Sequence, residues 1–570
     1  MIKTYPLPFL FLLAMSAADA RDLQLDDPAK WWLGKSDQFI WDFVPDELQG
    51  EAHGTWGCPM PTCGMKIFEG RGHYPWLWHP DRPYKLQCPI CMKIYPSNDY
   101  QKWARSGRKG KLDTTQKYVD DFGGYAAPDG TRHRFVKIAI GTRHNGIWRF
   151  LTEKSIAWLS SKFKETGDDR YAHAVALILA KMAQEYPKMN PDRPARMTLD
   201  EVKKIKVKRP PRNRWTSFQN HISRIIDCFG VIVPYLNKGG DEQLRKFLAT
   251  KGINDAKQHI QQKLCHNLIV SVLEGQSVSG NGITGLQREL ADTALSWDMH
   301  DPSKGATTEY ILDWIIRSGP NSVNKWMYNS FCRDGFNHNG GLGYNCSAGI
   351  YHLVPLAKAL KPAGLDMYTM KRFREIMRYP INVIVGGKWV PAIGDGGNYK
   401  GASVNTIRSR SFRPSRMGPV FDAYGETVFA QALLQSPKDI GAYREKIKPI
   451  IDKFGSEINS VSRNFPIFGL AIFESGKGDN RRALSCYYGG STAHGHHDRL
   501  TISIFNRRGP VIPDLGYPYM DSWERYGWTS NTSAHNTVVV DARKQPNREP
   551  GHIRMFSVTP SAKALEVDGA

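Results

Sequence analysis

The sequence predicts a multidomain α+β protein in which a large helical domain precedes a sheet domain. The chain has 570 residues, several times the roughly 150 residues of a typical domain. Amphipathic helical segments recur from about residue 135, and short β-rich runs separated by Gly, Asn and Asp follow after Phe465. With 41% hydrophobic and 23% charged residues, the composition excludes a disordered chain, a collagen-like repeat and a coiled coil.

The N-terminus has the pattern of a secretory signal peptide. Lys3 precedes an apolar run from Leu7 to Met15, and the sequence ADA ending at Ala20 supplies small residues at the cleavage spacing. We therefore expect residues 1–20 to be removed near Ala20 and the mature protein to be secreted or periplasmic. No later stretch reaches the roughly 18 uninterrupted apolar residues of a membrane span, so we expect none.

The charge balance favours an anionic partner. The formal net charge is +22, which suits nucleic acid, anionic lipid or an acidic polysaccharide. Export from the cytoplasm argues against nucleic acid. The segment 202–214, VKKIKVKRPPRNR, concentrates seven basic residues, and it is either a solvated loop or a surface that captures a polyanion.

Four cysteines form two close pairs near the N-terminus. Cys58 and Cys63 lie in GCPMPTCG, and Cys88 and Cys91 lie in QCPICMKIYP. Four thiolates that converge from two turns satisfy a tetrahedral Zn²⁺ and leave no position open for catalysis, so the pairs predict a structural zinc-ribbon-like module over about residues 55–96. Two disulfides are the alternative in an oxidising compartment. The other cysteines are scattered, which is typical of small buried side chains: Cys228, Cys265, Cys332, Cys346 and Cys486.

The region 135–458 has the periodicity of packed helices. Asp168–Tyr186 has an acidic start, apolar residues at helical spacing and Pro187 after its end. Similar segments occur at about Trp148–Phe163, Phe218–Leu236, Thr284–Trp297, Glu309–Ile316, Ile350–Leu360 and Ile440–Phe454. Such an array predicts a helical bundle, toroid or solenoid.

The region after residue 458 is rich in short strand patterns and carries clustered metal-ligand residues. We predict strands at Ile467–Phe473, Ala483–Tyr488, Leu500–Phe505 and Thr537–Val540. In a strand through STAHGHHDRLTISIF, His494, His496 and Asp498 would share one face. Asp514 and His535 each lie beside a β-rich run. A His, Asp, His set suits Zn²⁺, whereas each residue taken singly suits an ordinary hydrogen-bonded role.

These motifs resemble those of the heparinase II/III-type polysaccharide lyases, which include the oligoalginate lyases. The resemblance rests on HGHHDRLTISIF, PDLGY and TSNTSAHNTVVVD, preceded by a long helical region and a signal peptide. It implies an incomplete (α/α) toroid at 135–458 and an antiparallel β-sandwich at 459–570, after an N-terminal region at 21–134. Because few residues follow Asp541, whereas sheet domains of this family have many more strands, we expect the sandwich to be truncated.

The resemblance also implies roles for individual residues. His494 is the catalytic histidine, and His496, Asp514 and His535 bind zinc. Tyr344 is the catalytic tyrosine, with Tyr351 as the alternative. Asn281 fits the position of a catalytic Asn, although Gly282 stands where His is usual; the pair Asn220-His221 is the alternative.

The implied reaction is β-elimination on a uronate-containing polysaccharide such as alginate or a glycosaminoglycan. Asn281 and His494 would stabilise charge at the uronate carboxylate, because preorganised donors are worth about 3–4 kcal/mol each. Tyr344 would act as general acid and base, or His494 as the base, and the zinc would play a supporting role. Two other functions fit the residues: a glycan-binding protein that has lost catalysis, and a zinc-dependent hydrolase that uses metal-bound water.

Overall fold

The computed structural model provides a detailed view of most of the chain. It describes residues 27–46, 56–69, 71, 75–110, 112, 115–141, 146–188, 221–269, 290–291, 293–294, 307–319, 322–337, 340–396, 407–408, 411–458, 461–490, 494–516, 525–545 and 549–569. The predicted signal peptide, the basic segment 202–214 and Asn281 lie outside these residues, as does Asn220. The chain divides into two compact units, Met1–Arg193 with Cys228–Leu264, and Pro194–Asp227 with Cys265–Ala570. The boundaries predicted at 134/135 and 458/459 divide the chain differently and stay predictions.

The first unit contains the paired cysteines and a set of helices. Two small antiparallel ribbons pair β1 (Leu86–Gln87) with β2 (Ile94–Tyr95) and β3 (Tyr125–Ala126) with β4 (Arg132–His133). The α-helices between residues 28 and 260 span Pro28–Leu33, Asp37–Phe43, Tyr100–Arg105, Phe135–Ile140, Ile147–Arg149, Ile156–Thr166, Asp169–Glu185, His221–Asn237, Glu242–Thr250 and Ala256–Ile260. Wider π-helical turns occupy Phe150–Ser155 and Gln261–His266, and 3₁₀ turns occupy Gly64–Phe68 and Tyr186–Lys188.

The helix Asp169–Glu185 lies at the centre of the first unit. Asp168 caps it by accepting a hydrogen bond from the backbone N–H of Arg170, which satisfies one of the donors that a helix start leaves unpaired. From Ala172 to Ala183 every residue is buried, so the helix packs on all sides rather than along one stripe. Its His173 bridges two carboxylates, Asp37 at 2.9 Å and Asp241 at 2.8 Å. The predicted helix at this position is confirmed.

The second unit begins with helices and continues into a sheet. Its α-helices span Thr308–Asp313, Val323–Asn329, Leu342–Cys346, His352–Leu360, Lys371–Asn382, Pro414–Tyr424, Thr427–Leu434 and Tyr443–Phe454. π-Helical turns occupy Trp314–Ser318, Ser347–Tyr351 and Arg525–Thr529, and 3₁₀ turns occupy Lys361–Ala363, Met367–Thr369, Gly478–Asn480 and Thr532–Ala534. The predicted order, helices followed by a sheet, is confirmed. The toroid and the sandwich stay predictions.

The sheet is an antiparallel meander of five strands in sequence order. These strands are β5 (Arg463–Phe465), β6 (Leu470–Ser475), β7 (Arg482–Tyr487), β8 (Thr501–Asn506) and β9 (Gly509–Ile512). In β8 the burial alternates, with Thr501, Ser503 and Phe505 buried and Ile502 exposed, as expected for side chains on opposite faces. A separate hairpin pairs β10 (His552–Val558) with β11 (Lys563–Asp568).

Of the four strands predicted from β-rich runs, one is wrong and three are confirmed with small shifts of their ends. Thr537–Val540 contains no regular strand, and its backbone forms only a single bridge between Val540 and Arg543. The prediction of a strand rested on the β-branched residues of this run. In the structure its backbone bonds locally, because the N–H of Thr537 donates to the carbonyl of His535 at 2.9 Å and the N–H of Arg543 donates to the carbonyl of Val540 at 3.0 Å. No strand partner lies beside it among the described residues.

A buried charged cluster ties the sheet to the turn at residues 384–387. Glu474 of β6 contacts Arg463 of β5 at 3.5 Å and Arg481 at 3.2 Å. It also accepts a hydrogen bond from the backbone N–H of Gly386 at 2.9 Å. Arg463 donates to the carbonyl of Asn382 at 2.6 Å. The cluster therefore joins two sheet residues and Arg481, which precedes β7, to the segment that leads toward Asp395.

Candidate functional site

The structure brings Tyr344 and His494 into direct contact. Their rings stack with centroids 3.9 Å apart and planes 15° from parallel. Tyr344 lies in the helix Leu342–Cys346, which widens at once into the π-helical turn Ser347–Tyr351. Such π turns are frequent at functional sites. Two residues that the sequence assigned to catalysis, 150 positions apart in the chain, therefore form one pair.

Tyr344 is held by the hydrogen bonds of its neighbour. The side chain of Asn345 accepts from the backbone N–H of Asn337 at 2.9 Å and donates to the carbonyl of Asn337 at 2.6 Å. The hydroxyl of Tyr379 donates to the carbonyl of Asn345. Asn345 is fully buried, so these bonds fix the helix that carries Tyr344.

Tyr351, the alternative tyrosine, has different surroundings. The guanidinium of Arg416 lies over its ring, 4.2 Å from the centroid, and Nε of Arg416 donates to its carbonyl at 3.3 Å. Its ring packs edge-on against His352. Of the two candidates, Tyr344 is therefore the one that stacks on His494.

The segment HGHHD is a loop, so the predicted strand through it is wrong. His494 has a left-handed backbone with φ of 60°, and β8 begins only at Thr501. His494 and His496 nevertheless converge, because both rings bond to one carboxylate. Oδ2 of Asp395 lies 2.9 Å from Nδ1 of His494, and Oδ1 lies 2.9 Å from Nε2 of His496.

Sequence reasoning missed Asp395. It lies in PAIGDGGN, where flanking glycines permit a tight loop to carry a carboxylate into a site. That glycine pattern is the signal that could have drawn attention to it. Its partners lie about 100 residues downstream, and no local periodicity connects the two segments.

The structure also forms a metal-type group from His496, Asp498 and His535. One ligand atom from each of these buried residues lies within 4.8 Å of the others. Nδ1 of His496 and Nε2 of His535 are buried without a hydrogen-bond partner. Because buried nitrogens are normally paired, two such atoms on residues that cluster with one carboxylate fit a cation with nitrogen and oxygen ligands, such as Zn²⁺.

Asp514, the predicted third ligand, lies one contact further out. Its Oδ2 is 2.7 Å from Nδ1 of His535, and both side chains are fully buried. A carboxylate in this position can orient a ligating histidine, and the role of Asp514 as a ligand stays a prediction. Asp498, which the sequence analysis placed on the same face as the two histidines without assigning it to the metal, is the carboxylate inside the group.

Negative charge dominates this group. Burial disfavours the charged form of His535, but the hydrogen bond and charge of Asp514, with the charge of Asp498, outweigh burial and raise the pKa of His535. The negative charge of these two carboxylates favours a proton on the ring of His535. The same charge favours a metal cation in this group.

Backbone bonds hold His535 beside the HGHHD loop. The N–H of His497 donates to the carbonyl of Ser530 at 2.9 Å, and the N–H of Ile502 donates to the carbonyl of Asn536 at 3.1 Å. Two segments separated by more than 30 residues thereby run side by side around the metal-type group.

A second metal-type group lies in the first unit. Ligand atoms of Cys58, Cys63, Cys88 and Cys91 lie within 4.8 Å of one another, and all four thiols are free. The backbone N–H of Ile90 donates to Sγ of Cys88 at 3.4 Å. The hydrogen bond from Cys58 is the main cause that lowers the pKa of Cys88 to about 5. Four convergent thiols with a favoured thiolate fit a tetrahedral Zn²⁺.

Comparison with known families identifies the C-terminal part of the chain. Residues 459–565 match the family model described as Heparinase II/III-like, C-terminal. This segment is heparinase II/III-like. The predicted resemblance is therefore confirmed for this segment, which contains His494, His496, Asp498, Asp514 and His535. The relation to oligoalginate lyases and the cysteine module lie outside this match.

The chain is similar to solved structures of heparinases at low identity. The heparinase III-BT4657 gene product is 15% identical over 83% of this chain and 67% of its own, with a TM-score of 0.46. The heparan sulfate lyase HepC from Pedobacter heparinus is 13% identical over 83% of this chain and 65% of its own, with a TM-score of 0.45. A further heparinase III is 12% identical over 72% and 57%, with a TM-score of 0.45.

No curated protein sequence matches the chain. The chain spans about two thirds or less of the length of these solved heparinases. Within the part of the chain that the structure describes, no helix has the length and apolar character needed to cross a membrane.

Proposed function

We propose that this protein is a polysaccharide lyase that cleaves a uronate-containing acidic polysaccharide by β-elimination. The observation that carries the proposal is the stacked pair of Tyr344 and His494, because it joins a phenol and an imidazole beside a metal-type group. The family match of residues 459–565 supports it. The net charge of +22 suits an anionic polymer.

The proposed reaction requires two proton transfers at neighbouring atoms. A base removes the proton from C5 of the uronate, the electron pair forms the C4–C5 double bond, and the bond from C4 to the glycosidic oxygen breaks. The leaving oxygen takes a proton from a general acid. Adjacent Tyr344 and His494 supply both groups. His494 would act through Nε2, because its Nδ1 bonds to Asp395.

Charge at the uronate carboxylate must also be stabilised as the C5 proton leaves. Where Tyr344 performs both proton transfers, His494 would instead donate to this carboxylate, and its side chain is 26% exposed, so a substrate can reach it. The predicted role of Asn281 as a second donor lies outside the described residues. Each preorganised donor of this kind typically contributes about 3–4 kcal/mol to the barrier.

We place Zn²⁺ at His496, His535 and Asp498, with Asp514 as the carboxylate that orients His535. The two unpartnered buried nitrogens support this set. When bound, the ion supplies fixed positive charge behind the HGHHD loop. We propose a second, structural Zn²⁺ at the four clustered cysteines, where four protein ligands leave no open position.

A zinc-dependent hydrolase is the second candidate. Three protein ligands at His496, Asp498 and His535 resemble in number the catalytic zinc sites that keep a fourth position for water. The products separate the two reactions, since only elimination leaves a C4–C5 double bond, which absorbs in the ultraviolet. A glycan-binding protein without activity would retain the polymer and yield neither product.

The test is an absorbance assay on a panel of uronate polymers that includes alginate, heparan sulfate, heparin and ulvan. We expect one polymer to yield an unsaturated product with the wild type. Tyr344→Phe and His494→Ala should each lower kcat by about 10²–10⁴-fold, the contribution of a positioned acid or base. Tyr351→Phe is the matched control, because its ring packs under Arg416, and it should retain activity.

Two results would contradict the proposal. Absence of unsaturated product across the panel, with folded and zinc-loaded protein, would favour the binding protein. A saturated product that depends on zinc would favour the hydrolase.

We also propose that the mature protein is exported, secreted or periplasmic. Mass analysis of protein from the periplasm and medium should locate the N-terminus just after Ala20.

A further inference from the structure

We propose that Asp395 is the positioning residue of this site, a single carboxylate that sets the ring orientation and tautomer of both His494 and His496. Its side chain is 2% exposed. Its two oxygens divide between the rings, with 2.9 Å to each. The inference rests on the proposed function only for its activity readout.

The tautomers follow from the chemistry of the carboxylate. An ionised carboxylate only accepts hydrogen bonds, so each ring nitrogen that contacts Asp395 must carry the hydrogen. His494 is thereby the Nδ1–H tautomer and His496 is the Nε2–H tautomer. In the neutral rings, the lone pairs lie on Nε2 of His494 and on Nδ1 of His496. One residue therefore gives two neighbouring histidines opposite tautomers.

The second tautomer has an independent observation in its favour. Nδ1 of His496 is the buried nitrogen without a hydrogen-bond partner, and His496 belongs to the group with Asp498 and His535. A lone pair at that atom is what a metal ligand requires. Asp395 thus stands behind His496 as Asp514 stands behind His535, where Oδ2 of Asp514 lies 2.7 Å from Nδ1.

The backbone around Asp395 is shaped for this contact. Its N–H donates to the carbonyl of His494 at 2.8 Å, and the N–H of Gly394 donates to Oδ2 of Asp498 at 2.8 Å. A Cβ at Gly394 would lie 2.6 Å from the carbonyl oxygen of His494, and a Cβ at Gly341 would lie 2.8 Å from it. Glycine at both positions therefore lets the HGHHD loop approach closely.

The arrangement couples the metal to the reacting histidine. His496 would hold the metal while its Nε2 bonds to one oxygen of Asp395, and the other oxygen of Asp395 bonds to His494. We therefore expect a change at Asp395 to weaken metal binding and to displace His494 together. Loss of a carboxylate that orients a metal-bound histidine typically costs 10–100-fold in metal affinity or activity.

Asp395→Asn is the informative variant because it keeps the size and one acceptor oxygen but places an NH₂ group against one of the two rings. We expect zinc affinity, measured by chelator competition without substrate, to fall by about 10–100-fold. We expect kcat to fall by a similar factor while KM changes by less than about twofold, since misplacing a catalytic group acts on the transition state. Asp422→Asn, whose carboxylate bonds to Tyr443 and Lys446, is the control and should change neither.

The tautomers of His494 and His496 can also be measured in the wild type, so the test does not depend on the folding of Asp395→Asn. Nitrogen-15 NMR of histidine-labelled protein without metal should find hydrogen on Nδ1 of His494 and on Nε2 of His496, assigned with His494→Gln and His496→Gln. The reverse tautomer at either ring, or unchanged zinc affinity in folded Asp395→Asn, overturns the proposal. Reduced zinc affinity in a protein that cleaves no polymer would refute the lyase and leave the role of Asp395 intact.

Discussion

Replacing Glu474 with glutamine tests the buried charged cluster that connects the sheet to the chain segment before Asp395. Glu474 is 1% exposed at its side chain and contacts Arg463 and Arg481. Burial raises the pKa of Glu474 and lowers the pKa of Arg463 to about 10. Desolvation therefore offsets much of the attraction, and the intact cluster adds little net stability.

Removing one charge should lower the free energy of unfolding by more than the intact cluster contributes to it. Glutamine keeps the shape of Glu474 and an oxygen for the N–H of Gly386, so the variant creates no cavity. It leaves the buried guanidinium of Arg463 without a carboxylate and that of Arg481 with only the exposed Glu457. Removing one partner of a buried ion pair typically costs about 3–5 kcal/mol. Arg463 and Arg481 keep carbonyl partners at Asn382 and Ile458, so we expect about 3 kcal/mol.

Differential scanning calorimetry measures this effect. At roughly 2–4 °C per kcal/mol for large domains, Glu474→Gln should lower Tm by about 6–12 °C. The matched control is Glu457→Gln, because Glu457 contacts the same Arg481 at 3.4 Å but is 56% exposed. An exposed pair contributes about 0–1 kcal/mol, so that Tm should shift by no more than a few degrees. Equal shifts in the two variants would refute the reasoning.

Three further predictions concern metal binding and a helix end. Cys88→Ser should remove one zinc per chain by elemental analysis because it deletes one of four clustered thiols, whereas Cys486→Ser should retain it. Asp498→Asn should weaken zinc binding in chelator competition more than Asp514→Asn does, because Asp498 lies inside the group and Asp514 contacts His535; the opposite order would restore Asp514 as the ligand. Asp168→Ala should destabilise the protein by about 1 kcal/mol in thermal unfolding, since Asp168 caps the helix Asp169–Glu185, and an unchanged Tm would contradict that role.

Features of the fold that depend on neighbours in the chain were predictable. The helix Asp169–Glu185 and the strands β6 to β8 follow from residues whose spacing matches the local repeat. The Cys58, Cys63, Cys88 and Cys91 spacing predicted a cluster that the structure forms. These patterns depend on hydrogen bonding and burial within short segments of the chain. They can therefore be recognised from the sequence alone.

Local patterns misled where a tertiary contact decides the backbone. Thr537–Val540 has the composition of a strand but forms no ladder, because β-propensity acts only when a partner strand is present. The HGHHD segment alternates as a strand would, yet His494 adopts a left-handed conformation. Gly341 and Gly394 leave room for the carbonyl of His494 to approach their backbone closely.

The sequence by itself determined the types of residue available to the site: the histidines of HGHHD, His535, Asp514 and the two candidate tyrosines. Only the tertiary structure decided which of them meet. It stacked Tyr344 on His494, placed Asp498 within the metal-type group and introduced Asp395 between two histidines. The physical reason is that these contacts join segments about 20 to 150 residues apart, and their free energy comes from packing and burial that no local repeat encodes.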